Sequence, residues 1–318
     1  MSDIAAEKVH TPVLLSESLR LLAPQNGGVF VDATLGLGGH AEAILDASAK
    51  TRLIGIDQDA AALKLAKERL SRFGKRIEFA HANFSQIARI VHEASFGSPD
   101  GILADLGVSS MQLDSETRGF SFRFDAPLDM RMDPDSGERT AAELLKTLSQ
   151  EEIANIIYQY GEERRSRRIA RRIIEKREAG EPVETTFELA DLVRRSVPHS
   201  PKDKIHSATR TFQALRIAVN DELAIIEKFI DDAVDVLTTN GVLAIITFHS
   251  LEDRIVKQAF RRLSGMCSCP PRMPQCMCGA VKRVEILTKK PLIADESEQR
   301  DNPRSRSAKL RACRKLEQ

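Results

Sequence analysis

The chain has 318 residues, 42% of them hydrophobic, with 47 Lys and Arg against 46 Asp and Glu. That length and apolar content allow one large core or two modest ones, and no run approaches the roughly 18 apolar residues of a membrane span. With no charged-then-apolar export signal and an odd count of five cysteines, a cytoplasmic protein with no membrane partner is expected.

In chain order, Val29 to Val31 reads as a buried strand ending at Asp32, followed by Gly36, Gly38 and Gly39 and then a helix from His40 to Ala49. Arg52 to Ile56 is a second strand, ending at Asp57; Ile77 to Ala80 is a third, and Gly101 to Leu106, carrying Asp105, a fourth. Strand and helix alternate, which predicts α/β architecture: a parallel sheet with helices on both faces. From Leu113 the pattern changes to a Gly, Asp, Pro and Arg-rich loop (114–139) and helical segments near 141–160, 162–179 and 186–196. A long helix near 208–238, broken around Asn220, precedes an apolar strand from Gly241 to Ser250. The simplest organisation is a discontinuous sheet domain, 1–112 with 213–318, holding a helical insertion at 113–212.

The glycine cluster after a strand suits a nucleotide-type cofactor, because glycine permits close backbone approach and the following helix offers free N–H groups. Gly36-x-Gly38-x-x-Ala41 also fits the permissive dinucleotide pattern, and Asp57, about 20 residues on, is placed to accept from ribose hydroxyls that both cofactor classes contain. Asp32, four residues before Gly36, gives D-x-x-x-G-x-G, which resembles the first motif of Rossmann-like methyltransferases that bind S-adenosylmethionine.

Charge is unevenly distributed. Residues 254–318 carry 16 basic and 6 acidic side chains, a net +10 that favours a polyanion. Glu163 to Arg177 holds eight basic residues around a stripe of Ile169, Ile173 and Ile174, so one helix face docks and the other is basic. In CSCPPRMPQCMCG, the pairs Cys267/Cys269 and Cys276/Cys278 suit either a tetrahedral zinc, a reduced structural loop or an iron–sulfur cluster.

Several ordered blocks together resemble the 16S rRNA cytosine-N4 methyltransferases, the methyltransferase H family, along nearly the whole chain. They are HTPVLLSE (10–17), DATLGLGGH (32–40), GIDQD (55–59), DLGVSS (105–110), RGFSFRFDAPLDMRMD (118–133), GEERRSRRIARRI (161–173), ATRTFQALRIAVNDEL (208–223), FHSLEDRIVK (248–257) and NPRSRSAKLR (302–311). The resemblance implies a Rossmann-like class I methyltransferase sheet with an all-helical, RNA-recognising insertion. It also implies N4-methylation of a cytidine near the decoding centre by a monomer or homodimer whose partner is 16S rRNA in the 30S subunit.

It assigns S-adenosylmethionine contacts to Gly38, Gly39, His40, Asp57, Phe84, Asp105 and Gln112, to which the motif adds Asp32. Many amino methyltransferases carry an Asn- or Asp-Pro-Pro-aromatic motif after the fourth strand; here Asp105-Leu106-Gly107-Val108 lacks the prolines and the aromatic. Asp105 is then the expected acceptor for the amino hydrogens, with His249 and Ser250 as candidates for holding the base or removing the proton. RNA contact is expected from Arg164, Arg167, Arg168 and Arg171, from Arg210 and Arg216, and from Arg304, Arg306, Lys309 and Arg311. A nicotinamide oxidoreductase would share the glycine loop and Asp57 but leaves the basic tail unexplained, and a non-catalytic RNA-binding protein would share only the basic elements.

Overall fold

The computed structural model describes residues 12–197, 206–267, 269, 277 and 280–317, and divides into two compact units, 1–107 with 223–318 and 108–222. The expected boundaries at 112/113 and 212/213 therefore move. At the second the reason is packing: Phe212, Leu215 and Val219 all belong to the core of the helical unit, so the helix carrying them stays whole.

The first unit begins with α1 (Leu15–Leu22), β1 (Gly28–Asp32), α2 (Gly39–Asp46), β2 (Thr51–Asp57), α3 (Ala60–Arg69), β3 (Ile77–His81), α4 (Ile87–Glu93) and β4 (Gly101–Asp105). The second unit holds α5 (Ser110–Asp114), α6 (Ala141–Thr147), α7 (Gln150–Gly161), α8 (Ser166–Glu178), α9 (Thr186–Ser196) and α10 (Thr209–Asn220). The first resumes with α11 (Glu222–Val236), β5 (Val242–Thr247), α12 (Ser250–Leu263), β6 (Val284–Ile286), α13 (Glu296–Asp301) and β7 (Lys309–Lys315).

The described strands form one sheet in the order β3-β2-β1-β4-β5-β7-β6; β1 to β5 are parallel, and β7 runs antiparallel to both β5 and β6. Alternate residues feed two cores, as strands covered on both faces require. Val31, Ile54, Ile102 and Ile245 pack with Phe229 and Ile230 of α11 and Phe260 of α12, whereas Phe30, Leu53, Leu103 and Ile246 pack with Leu22, Ile44 and Leu63 of α1, α2 and α3. Each fully buried Phe or Ile contributes about 1.5–3 kcal/mol. The chain visits β2 and β3 on one side of β1 and then returns to β4 on the other, creating a topological switch point whose crevice opens at the carboxyl ends of β1 and β4.

β7 is not among the expected strands. Its segment KLRACRK reads as basic tail, but Leu310, Ala312 and Cys313 are buried, and the strand lies between β5 and β6.

In the helical unit, Ser/Thr-x-x-Glu signatures start three helices: Thr140 with Glu143, Ser149 with Glu152 and Thr185 with Glu188 form reciprocal capping boxes. The Arg118 to Asp133 block, expected as loop, is tied down by main-chain bonds. Met130 donates to Arg118, Leu128 donates to Glu184, and Asn220 both accepts from the Met132 N–H and donates to the Met130 carbonyl. The expected break near Asn220 falls at Asp221, whose left-handed φ of 49° ends α10.

Candidate active site

Three carboxylates end parallel strands at the open edge of the sheet: Asp32 on β1, Asp57 on β2 and Asp105 on β4. Asp32 is buried and takes hydrogen bonds from the backbone N–H groups of Thr34 and Ala41, so one carboxylate braces the turn after β1 and the first turn of α2. Burial pushes its pKa up to about 7, against those two hydrogen bonds, and the charge of Asp57 adds to the rise. Asp57 is raised by burial too; its Oδ2 accepts from the Gly36 N–H at 2.6 Å and its Oδ1 from the Asp59 N–H at 2.8 Å. The acid expected at a ribose therefore also fixes the glycine turn.

That turn needs its glycines. Gly38 caps α2 at a φ of 79°, and a Cβ there would come within 2.8 Å of Leu70. At Gly39 a Cβ would lie 2.6 Å from Pro12. His40, in the first turn of α2, is buried with its Nε2 3.0 Å from the Val13 carbonyl, so its side chain anchors the segment before α1 and only its main chain remains at the turn.

Asp105 is the most isolated acid. Its backbone N–H donates to Thr34 Oγ1 at 2.6 Å, while the buried carboxyl oxygen Oδ1 has no hydrogen-bond partner among the described residues. Burial drives its pKa well up, and the charges of Asp32 and Glu252 push in the same direction. A buried acceptor left open is unfavourable by about 1–3 kcal/mol, which marks the spot as one that a donor completes. The three acids fit S-adenosylmethionine on that ground: its sulfonium and ammonium supply the positive charge that these carboxylates lack, and its ribose supplies hydroxyl donors.

Glu252 escaped the sequence reading. It is 1% exposed; its Oε2 accepts from the backbone N–H of Phe248 at 2.8 Å and of His249 at 3.3 Å. His249 is the N-cap of α12, its Nδ1 accepting from the Glu252 N–H at 3.5 Å, and its Nε2 lies 3.1 Å from Glu252 Oε1 but off the axis of a hydrogen bond. The pair is a capping box in which histidine stands where Ser or Thr is usual, and H-x-x-E between a strand and a helix was the available signal. His249 is thus brought to the same edge as Asp105, since β5 and β4 are neighbours, but as a structural cap.

Phe84 begins a short 3-10 turn and packs edge-on against Phe229 with ring centroids 5.0 Å apart; it is half-buried and braced by the core. Gln112 lies in the other unit, where it is buried and its Oε1 accepts from the Ser109 N–H in a capping box.

Among the cationic candidates, Arg164, Arg167, Arg168 and Arg171 are exposed beside or on α8, whose opposite face buries Ile169, Ile173 and Ile174. Arg210 is exposed, 3.7 Å from the buried Glu163. Arg306 is exposed and Arg304 half-buried. Two of the expected RNA contacts, Arg216 and Arg311, are instead held in pairs within the fold. Arg216 is locked in a two-pronged pair with Glu222, both bonds 2.8 Å. Arg311 is buried in β7 and pairs with Asp253 at 2.6 Å, and Lys309 reaches the same carboxylate at 3.4 Å. Arg216 and Arg311 spend their charge inside the fold, whereas Lys309 keeps 38% of its side chain exposed beside its weaker contact with Asp253.

Of the cysteine pairs, Cys267 is exposed and Cys269 half-buried, and the Cys269 N–H points to Cys267 Sγ at 3.4 Å. Cys276 and Cys278 lie outside the described residues. No described helix is long and apolar enough to cross a membrane.

Comparison with known proteins identifies the family. The profile of the MraW methylase family matches residues 7–316. The chain is 50% identical to "Ribosomal RNA small subunit methyltransferase H" of Geotalea uraniireducens (strain Rf4) over 96% of this chain and 98% of that one. It is 51% identical to the protein of the same name from Geotalea daltonii over 98% and 100%. Among solved structures, an rRNA methylase from Streptococcus thermophilus aligns at a TM-score of 0.40 and 12% identity, over 97% of this chain and 99% of that one. With a methyltransferase sheet carrying a glycine turn and strand-end acids, and a family match along nearly its full length, the chain belongs to the MraW methylase family.

Proposed function

We propose that this methyltransferase transfers a methyl group from S-adenosylmethionine to the exocyclic N4 of a cytidine in 16S rRNA, near the decoding centre of the 30S subunit, in the cytoplasm. The names of the 50% identical relatives support the small-subunit rRNA substrate. The observation that carries the chemistry is the buried, unpartnered Oδ1 of Asp105 at the end of β4.

Bound S-adenosylmethionine supplies an electrophilic methyl carbon on a sulfonium. The protein's part begins with the acceptor: the cytosine amine is a poor nucleophile because its lone pair is delocalised into the ring. Asp105 accepts a hydrogen bond from N4–H and draws the amine toward tetrahedral geometry, in line with the methyl carbon. As the N4–carbon bond forms, the carbon–sulfur bond breaks, and N4 sheds one proton, which Asp105 is placed to take, while His249 stays engaged as the cap of α12. Asp105 must be ionised for this; positive charge arriving in the site favours that state in a group that burial otherwise keeps protonated.

Gly38, Gly39 and the His40 main chain hold the methionine portion, Asp32 and Asp57 fix the turn and the ribose, and Phe84 offers an aromatic surface for adenine. Arg164, Arg167, Arg168, Arg171, Arg210, Arg304 and Arg306 bind phosphates and position the RNA, while the base is swung out of its stack before it reacts. Whether the four cysteines at 267, 269, 276 and 278 hold a structural zinc, an iron–sulfur cluster or stay reduced is decided by stoichiometric metal analysis.

Asp105→Asn is the test. It is expected to weaken S-adenosylmethionine binding, since one of the three complementary carboxylates is neutralised, and to lower kcat at saturating cofactor by 100-fold or more, the scale of losing a positioned acid–base group. Wild-type turnover in the variant would remove Asp105 from the chemistry.

A further inference from the structure

A base swung out of an RNA stack needs a surface for its flat faces as well as an acceptor for its amine. The turn after Asp105 supplies no such surface, since Leu106, Gly107 and Val108 are all aliphatic or bare. The neighbouring strand does. β5 pairs with β4 so that Ile246 lies opposite Asp105, and the Leu106 N–H donates to the Ile246 carbonyl at 2.9 Å. Two residues beyond Ile246, where β5 leaves the sheet, stands Phe248.

One edge of its ring lies against the glycine of the Asp105 turn. A Cβ built on Gly107 would meet Phe248 Cδ2 at 3.4 Å and Cε2 at 4.0 Å, and Gly107 has a φ of 105°, a conformation that L side chains rarely adopt. Bare backbone at Gly107, two residues after Asp105, thus leaves the ring edge against the turn. Phe248 is half-buried, one part packed on the core formed with α1, α2 and α3. Its main chain is fixed by an unusual anchor: the N–H donates to Oε2 of Glu252, a carboxylate 1% exposed. Placing a carboxylate almost fully inside the fold to hold the turn at the sheet edge pre-organises whatever that turn presents.

We propose that Phe248 is the stacking surface for the target cytosine, seated against Gly107 so that the base lies flat against the ring while its amine faces Asp105. The inference rests on the cytidine-N4 reading above. It assigns the aromatic clamp to β5, the strand next to the one that carries the acceptor, and gives Glu252 the role of a positioning residue acting through the Phe248 and His249 main chain.

The test separates stacking from packing. Phe248→Leu and Phe248→Met keep apolar volume against the core, whereas Phe248→Tyr keeps the aromatic face. Each is assayed for methyl transfer to 30S subunits from a strain lacking the modification, for S-adenosylhomocysteine affinity by calorimetry and for thermal midpoint. Loss of base–aromatic stacking lowers kcat/KM for the subunit by roughly tenfold or more in the Leu and Met variants, with S-adenosylhomocysteine affinity unchanged; Tyr stays within about threefold of wild type. Wild-type kcat/KM in the Leu or Met variant, or an equal loss in Tyr, overturns the proposal. The wild-type arm stands apart: if it forms no N4-methylcytidine, the substrate reading fails and this inference with it, whereas an active wild type with an equally active Leu variant sinks the inference alone.

Discussion

The backbone N–H of Asp105 donates to Oγ1 of Thr34 at 2.6 Å, fastening the end of β4 to the turn that leaves β1. One hydroxyl thus sets the relative position of the acceptor acid and the glycine turn across the topological switch point. Thr34→Val removes the acceptor and leaves a half-buried N–H open, which destabilises the fold by about 1–2 kcal/mol and lowers kcat more than cofactor affinity. Thr34→Ser restores both. Thermal unfolding together with single-turnover transfer checks this; a Val variant with wild-type kcat would show that the link is incidental.

Asp32 gives a pH signature. Folding raises its pKa from the ordinary carboxylate range to about 7, so between about pH 4 and 7 the folded protein holds a proton that the unfolded chain has released. The stability tied to this group is complete below about pH 4 and is lost as pH rises to about 7. A cationic cofactor favours the ionised form, so S-adenosylmethionine affinity changes in the opposite sense, tightening by up to about tenfold per pH unit over that window. Calorimetry at pH 5, 6 and 7 measures it. Asp32→Asn should flatten the slope, and an equal slope in the variant would assign the proton elsewhere.

The Asp253 and Arg311 pair predicts a stability effect with no RNA phenotype. Arg311→Ala leaves Asp253 with Lys309 as its remaining cation and should lower stability by about 1–3 kcal/mol, the cost of losing the closer, buried partner. The salt dependence of RNA binding should not change. A reduced salt slope with unchanged stability would restore Arg311 to the RNA surface.

Arginines around α8 make the converse prediction. Replacing Arg164, Arg167, Arg168 and Arg171 by Glu leaves cofactor binding and the thermal midpoint near wild type, because the helix docks through Ile169, Ile173 and Ile174 on its other face. RNA affinity should fall, and the slope of log affinity against log salt should lessen by about 0.7–0.9 for each phosphate that is no longer neutralised. An unchanged slope would place RNA on another surface.

Strand ends were the most legible part of the sequence, because an apolar run followed by an acid and then glycines has few other uses. Asp32, Asp57 and Asp105 all stand at the sheet edge where that pattern places them, and the αL residue Asp221 falls beside the expected break at Asn220. What escaped depended on partners distant in sequence or across a chain reversal. Arg311 reads as a free cation until Asp253, 58 residues earlier, is brought against it, and the net charge of the tail hid the alternation of Leu310 and Ala312 that marks β7. Arg216 meets Glu222 only because Asp221 turns the chain between them. Glu252, an acid in the first turn of α12, is drawn inside by the cap it makes with His249, and there it anchors Phe248.

The most direct test of the central claim is transfer of labelled methyl from S-adenosylmethionine to 30S subunits, free 16S rRNA and DNA from a strain lacking the enzyme, read by nucleoside mass spectrometry. The account predicts N4-methylcytidine in the 30S sample. Label appearing at another position or in another nucleoside, or no transfer to any acceptor by protein that binds the cofactor, would contradict it.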